Sequence, residues 1–336
     1  MLVRFTRFAV VAMALAVFAA GCGKYSISNI RSAKAFQDAN ALYSKGDYAG
    51  ALPYYESSIK FNPDLGYPYF FLGHSHEQLF KPAKKDDPKN IEHLEQAAKN
   101  YREAVDRLKG AKDEKEMQVR RYAYEYLIAV YGPEKLNDFE KAEPIARELI
   151  ALDPGDPTTY RILGKLYEDQ GRFDEAEKAF LDSIQSKPAE PLGYQMLAAY
   201  YNRRGNFAKT MEAWNKRAQA EPKNPEAWHT IGVYYQDYVF REKKLARAQA
   251  LELTLKGIEA EDKALSLSPE YIDAITYKNI LLRQQALYET NAAKQKALID
   301  EAEQLFKKQT ELRKRAEGAP TPTPGAGKDA SKGAGS

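Results

Sequence analysis

The stretch from Pro154 to Tyr235 repeats itself every 34 residues, and a fixed period narrows the possible folds more than composition can. Tyr160, Tyr194 and Trp228 fall on one another, as do Leu163, Leu197 and Ile231. Gly164, Ala198 and Gly232 form a third set, and Tyr167, Tyr201 and Tyr235 a fourth. Gly171 and Phe173 return as Gly205 and Phe207, and Phe180 returns as Trp214. Pro154, Pro188 and Pro222 close each unit; Pro157, Pro191 and Pro225 open the next.

Each offset has a physical reason. Tyr160, Leu163 and Tyr167 lie three and four residues apart, so they share one helical face. Gly164 among them is small and lets a neighbouring helix come close. Gly171 sits where a turn needs positive φ, which costs glycine little. Phe173, Ala176 and Phe180 form the apolar stripe of a second, antiparallel helix. Pro188 has no amide N–H and disfavours helix in the residue before it, so that helix stops. A single hairpin of this kind cannot bury its apolar face, whereas stacked neighbours can.

The period, the pattern W/Y-x2-L-G/A-x2-Y and the closing proline resemble the tetratricopeptide repeat family. That resemblance implies an all-α, right-handed superhelical solenoid, here of about seven repeats. The units fall at about 31–64, 65–110, 117–155, 156–189, 190–223, 224–270 and 271–316. Two inserts break the period. Near 80–95, Lys81-Pro82-Ala83-Lys84-Lys85-Asp86-Asp87-Pro88 reads as a charged loop before an extended helix. The segment 238–254 is rich in Arg, Lys and Glu and reads as partly helical. The third repeat carries an extra residue or two at its turn, and the seventh uses Ala302 and Phe306 on its second helix. Residues 317–336, rich in Pro, Gly and Ala, lack apolar periodicity and read as a disordered tail.

Residues 1–21 read as an export signal. Arg4 and Arg7 make a positive start, and the apolar run from Phe8 to Ala20 is short for a membrane-spanning helix, which needs about 20 residues. Ala19-Ala20-Gly21-Cys22 resembles the lipobox of bacterial lipoproteins, although Ala19 stands where that family usually has Leu. The resemblance implies cleavage before Cys22 and acylation of Cys22, with 22–30 as lipidated residue and tether. Two or more acyl chains anchor stably where one does not. Gly23 and Lys24 follow, without the Asp that retains lipoproteins in the inner membrane of enteric bacteria. The expectation is a membrane-anchored protein on the periplasmic side, with the outer membrane favoured. Cys22 is the only cysteine, so the fold must hold by packing without a disulfide.

Chemistry is sparse. His74 and His76 lie two apart and point in different directions on a helix, and no HExxH or CxxC motif occurs. Carboxylates alternate with Lys and Arg at helical spacing, the mark of a solvated face. No phosphate loop or nucleophile elbow appears. A net charge of +3 does not point to nucleic acid. The expectation is a non-enzyme with no metal and no cofactor.

Function must then come from surfaces. In the resembled fold the first helix of each repeat lines a concave groove, and non-core positions there meet ligands. By position these are Phe36, Asn40 and Tyr43, then Phe70, His74 and Glu77, then Arg161 and Lys165. Gln195, Ala199, Asn202, His229, Val233 and Gln236 continue the series. Arg161 and Lys165, one turn apart, suit a carboxylate or phosphate. The family's two-carboxylate clamp is absent, because Met196, Glu226 and Thr230 stand where it needs Asn, Lys and Arg. Phe36, Tyr43 and Phe70 read as an exposed aromatic cluster suited to an interface. The reading is a scaffold that docks a protein or peptide during envelope assembly, secretion or pilus biogenesis. The alternative is an adaptor of cell-wall enzymes, or a glycan binder whose groove aromatics stack on sugars.

Overall fold

The computed structural model describes residues 26–318. The expectations for the export segment, Cys22 and the tail beyond 318 lie outside them. Among the described residues there are fourteen α-helices and no strand, the all-α architecture expected of helical-hairpin repeats. The chain divides after Lys187 into two compact units.

The first unit holds α1 (Ile27–Tyr43), α2 (Tyr48–Phe61), α3 (Gly66–Leu79) and α4 (Pro88–Arg107). It continues with α5 (Glu114–Val130), α6 (Phe139–Leu152), α7 (Pro157–Asp169) and α8 (Phe173–Ser186). The second unit holds α9 (Pro191–Arg203), α10 (Phe207–Ala220), α11 (Pro225–Arg241), α12 (Arg247–Leu267), α13 (Ile272–Tyr288) and α14 (Ala292–Gly318). Successive helices pair as hairpins. In the first pair Ser32, early in α1, and Ser58, late in α2, exchange hydroxyl-to-carbonyl hydrogen bonds of 2.9 and 3.0 Å, which fixes the antiparallel direction.

The turns explain themselves. Gly46, Gly171 and Gly205 have φ of 78°, 69° and 69°, a region that only glycine enters freely. Asn137, 34 residues before Gly171, takes φ 50° in their place, as asparagine tolerates better than most residues. The amide after the turn donates to Tyr167 O from Arg172 and to Tyr201 O from Asn206, both at 2.9 Å. In the third repeat Asp138 reaches back two residues further, to Tyr131 O at 2.9 Å, so the two extra residues are absorbed within the loop. The side chains of Asp47, Asp138 and Asn206 then cap the second helices, accepting from the amides of Gly50, Lys141 and Lys209.

A second contact recurs at the same period. Tyr160 Oη donates to Pro154 O (3.0 Å), Tyr194 Oη to Pro188 O (3.1 Å) and Trp228 Nε1 to Pro222 O (3.3 Å). In these three repeats the aromatic that marks the period therefore ties the first helix to the linker before it.

Three expectations need correction. Residues 27–30, read as tether, are the first turn of α1, because the Ser26 hydroxyl accepts from Asn29 N at 3.1 Å and caps the helix. The last helix runs to Gly318, into the stretch read as tail. Ala302 is fully buried, but Phe306 is 56% exposed, so it does not belong to the core. The first insert forms a 3₁₀ turn at Pro82–Lys84 followed by the 20-residue α4. Asn90 fastens that turn, accepting from Lys81 N and donating to the carbonyls of Lys81 and Lys84.

The hairpins close on small-against-large pairs. A Cβ placed on Gly164 would lie 2.7 Å from Cζ of Phe180, and one on Gly73 would lie 3.1 Å from the Tyr101 ring. Phe180 is 1% exposed. Phe180→Ala should cost about 3–5 kcal/mol in chemical denaturation, whereas Phe306→Ala should stay within about 0.5 kcal/mol. Equal losses would show that the hairpin contact does not dominate.

Candidate functional site

Helices α1, α3 and α5 are the first helices of three consecutive repeats, and together they line an open cleft of about 490 Å³. Tyr43 comes from α1, Phe70 and His74 from α3, and Tyr122, Glu125, Tyr126 and Ala129 from α5. Its rings are ordered. Phe70 and His74 lie 28° from parallel, while Tyr126 stands at 77° to Phe70 and 81° to His74, with centroids 5.9 and 5.2 Å away. The Tyr43 hydroxyl is hydrogen-bonded to His74 Nδ1 at 2.8 Å. Burial holds His74 below the usual imidazole range, with Glu77 opposing and Lys135 reinforcing the shift, so the ring is neutral at pH 7.

Beneath the rings is a buried polar tie. Glu77, with a side chain 10% exposed, accepts from the Tyr101 hydroxyl and from Lys135 Nζ, both at 2.5 Å. Tyr101 also stacks on Tyr126 at 5.6 Å and 29°. The cleft wall is thus held from behind by hydrogen bonds on Glu77 that join α3, α4 and the α5–α6 loop.

The sequence places Phe36, Asn40, Tyr43, Phe70 and His74 here, and the structure divides them. Tyr43 and His74 line the cleft. Phe70 reaches it as a wall but is 7% exposed, since Phe71, Tyr101 and Tyr126 pack around it. Phe36 packs against Tyr55 and Phe71 beside the core of the first hairpin, and Asn40 Oδ1 accepts from Tyr55 Oη at 2.8 Å. The expected exposed cluster of Phe36, Tyr43 and Phe70 is therefore not one; neighbouring rings cover two of its members. Arg161 and Lys165 are exposed on α7, but the Lys165 ammonium is paired with Asp169.

In the second unit the positions Gln195, Asn202, His229 and Gln236 meet different surroundings. Asn202 is exposed near the α9–α10 turn, beside Tyr234 and Tyr238, and Gln236 is half-buried on α11. Gln195, with its amide oxygen turned toward Arg217, accepts from Nε and Nη2 at 3.0 and 3.2 Å. Arg217, only 6% exposed in its side chain, also donates to Glu221, Glu226 and Thr230. His229 Nδ1 lies 3.0 Å from both carboxylate oxygens of Glu261, and its ring sits edge-on between Tyr271 and Tyr277 at 5.2 Å from each.

Glu261 is fully buried, over Gly232, whose Cβ would fall 2.2 Å from Oε1. Burial pushes its carboxyl up to about 7; His229 opposes this and Asp262 and Asp273 add to it. His76 and His93 form a half-buried pair, Nδ1 to Nδ1 at 3.1 Å, and desolvation with the His93 neighbour lowers His76 to about 4. Among the described residues no three His, Cys, Asp or Glu side chains are grouped to hold a metal. No described helix is long and apolar enough to cross a membrane.

Glu125 and Tyr126 are missed by the sequence reading, although the repeat register reaches them. Aligning Tyr124, Leu127 and Tyr131 with Tyr160, Leu163 and Tyr167 puts Glu125 at the position of Arg161 and Ala129 at that of Lys165. Glu261 is harder to see, because the 13-residue lengthening of the sixth repeat displaces it from the position of Trp214.

Residues 134–191 match the tetratricopeptide repeat family model, so the chain contains tetratricopeptide repeats. Among solved structures it is similar to MamA 41-end from Desulfovibrio magneticus RS-1, at 18% identity over 58% of this chain and 96% of that one, TM-score 0.36. It is also similar to YrrB, described as a TPR protein with an unusual peptide-binding site, at 17% identity over 58% and 89%, TM-score 0.34. A third is TTC0263, a thermophilic TPR protein in Thermus thermophilus, at 18% identity over 58% and 94%, TM-score 0.32. No curated protein matches the chain.

The Glu261 geometry sets a pH dependence. Its folded-state value near 7 lies above the 4.5 of a solvated glutamate. Stability from this group is therefore complete below about pH 4 and lost as pH rises through about 7. The shift corresponds to roughly 3 kcal/mol. Glu261→Gln should melt higher than the parent at about pH 8 and show a flatter pH profile, while the two should converge near pH 5. An unchanged slope would assign the dependence to other groups.

Proposed function

We propose that this tetratricopeptide-repeat protein is a non-catalytic scaffold, lipid-anchored through Cys22 on the periplasmic side of the cell envelope, that docks extended peptide segments of partner proteins. The observation that carries the docking is the cleft of α1, α3 and α5. Its walls come from consecutive first helices, the surface on which the resembled family receives its ligands. Rings supply contact area at low conformational cost, and they are set in place before any ligand arrives. The anchor is supported by the positive start, the short apolar run and the Ala-Gly-Cys ending of residues 1–22. The outer membrane is the favoured membrane, from the absence of Asp after Cys22, and envelope assembly, secretion or pilus biogenesis is the setting in which such a scaffold would work.

A photocrosslinker at Tyr122, on the exposed rim of the cleft, should capture one dominant envelope protein in intact cells. The same crosslinker at exposed Leu287, in the second unit, should not capture it. Recovery of cell-wall fragments with no protein would overturn the peptide reading in favour of a glycan binder. Cys22→Ala should move the chain from the membrane to the soluble fraction; continued membrane retention would remove the lipid anchor.

A further inference from the structure

The cleft's rings and its charge together say something about the ligand. Among the residues lining it, Tyr43, Tyr122 and Tyr126 offer aromatic rings beside the nearly buried Phe70, and Glu125 is the only carboxylate. No Lys or Arg lines it. Burial lowers the pKa of His74, which disfavours a positive charge on that ring, and its Nδ1 is hydrogen-bonded to the Tyr43 hydroxyl.

Glu125 is not fully balanced. Its oxygen accepts from Arg121 Nε at 3.0 Å, but the same guanidinium serves Asp156 and lies 3.9 Å from Asp153. One cation is thus shared among three carboxylates. Behind the rings Glu77 is matched one to one by Lys135. Across these two networks four carboxylates, Glu77, Glu125, Asp153 and Asp156, face two cations, Arg121 and Lys135, a surplus of two negative charges. Glu77 and Glu125 both bear electrostatically on Tyr126, so this charge is felt at the ring that forms the corner of the cleft.

We infer that the cleft between α1, α3 and α5 is a subsite for a cationic side chain, a lysine ammonium or an arginine guanidinium, carried by the docked peptide. The inference rests on the docking reading above and adds the chemistry of its ligand. Ring quadrupoles attract a cation placed over their faces, and the attraction grows when water is partly excluded. Glu125 at the rim supplies the formal charge that a neutral aromatic box lacks. An acidic side chain would meet the same surplus as repulsion, so selectivity between lysine and glutamate follows from one arrangement.

The test is calorimetric titration of the purified full chain with short alanine-based peptides that differ at one central residue. That residue is lysine, trimethyl-lysine, the uncharged tert-butyl analogue of trimethyl-lysine, or glutamate. Trimethyl-lysine should bind about tenfold more tightly than its uncharged analogue, with lysine close behind and glutamate weakest. Glu125→Gln and Tyr122→Ala, both at accessible positions, should each cut the preference for the charged peptide severalfold while leaving the melting temperature unchanged. Equal binding of charged and uncharged peptides would overturn the cationic subsite and leave the docking reading standing. Failure of all four peptides to bind would also overturn it, and the crosslinking capture at Tyr122 would then decide the docking reading separately.

Discussion

The hairpins of this chain close where one helix supplies a small residue and its partner a large side chain to fill the space. Gly164 lies so close against Phe180 that a single added carbon would collide, and Gly73 lies against Tyr101 with little room to spare. Ala39 and Tyr55, also sixteen positions apart like Gly164 and Phe180, are both fully buried in the first hairpin. The third repeat reverses the roles. Ile128 stands at the position of Gly164 and Ala146 at that of Phe180, and both are buried. Interiors are packed to crystal-like density, so what must be kept is the summed volume of the pair, not the identity of either member. The 34-residue period is the trace of that requirement, repeated.

The sixth repeat breaks the rule chemically while keeping it sterically. Glu261 fills the space over Gly232, as Phe180 does over Gly164 and Tyr101 beside Gly73. A buried carboxyl group needs a partner, and His229 Nδ1 at 3.0 Å supplies one. A well-packed apolar side chain would be no less stable at this site, by the general experience with buried pairs. Glu261 therefore ties the core of the second unit to a histidine that sits at a groove position, edge-on to Tyr271 and Tyr277. One contact thus joins the buried carboxyl group to the orientation of that largely buried ring.

How much of this can be read in advance depends on the period. Where the 34-residue spacing holds, the core members Leu163, Phe180, Leu197 and Trp214 and the turn glycines are visible as such, and they are buried or in positive φ as the pattern requires. The candidate site is visible only in part. Tyr43 and His74 fall on the cleft, but spacing alone cannot show that a ring from the next repeat will lie over Phe70. That depends on Tyr101, which the first insert delays by lengthening α4. Periodicity reports which face of a helix a residue occupies and not what the neighbouring helix brings to it. For the same reason Phe306 reads as core and is exposed.

The insert that obscures the site also builds it. Lengthening α4 to 20 residues gives it Asn90 at one end, fastening the 3₁₀ turn, and Tyr101 further along, beneath Phe70 and Tyr126. Tyr101 is fully buried, yet its hydroxyl needs a partner, and Glu77 on α3 provides it. Glu77 in turn would be an uncompensated buried charge without Lys135 from the following loop. Each element of the cleft wall thus calls for the next: a ring to fill the hairpin, a carboxylate to satisfy its hydroxyl, a cation to satisfy the carboxylate. The consequence at the surface is that Phe70 and Tyr126 are fixed from behind before any ligand is present. Affinity there is then limited by what the ligand offers to the rings, and little free energy is lost in ordering them.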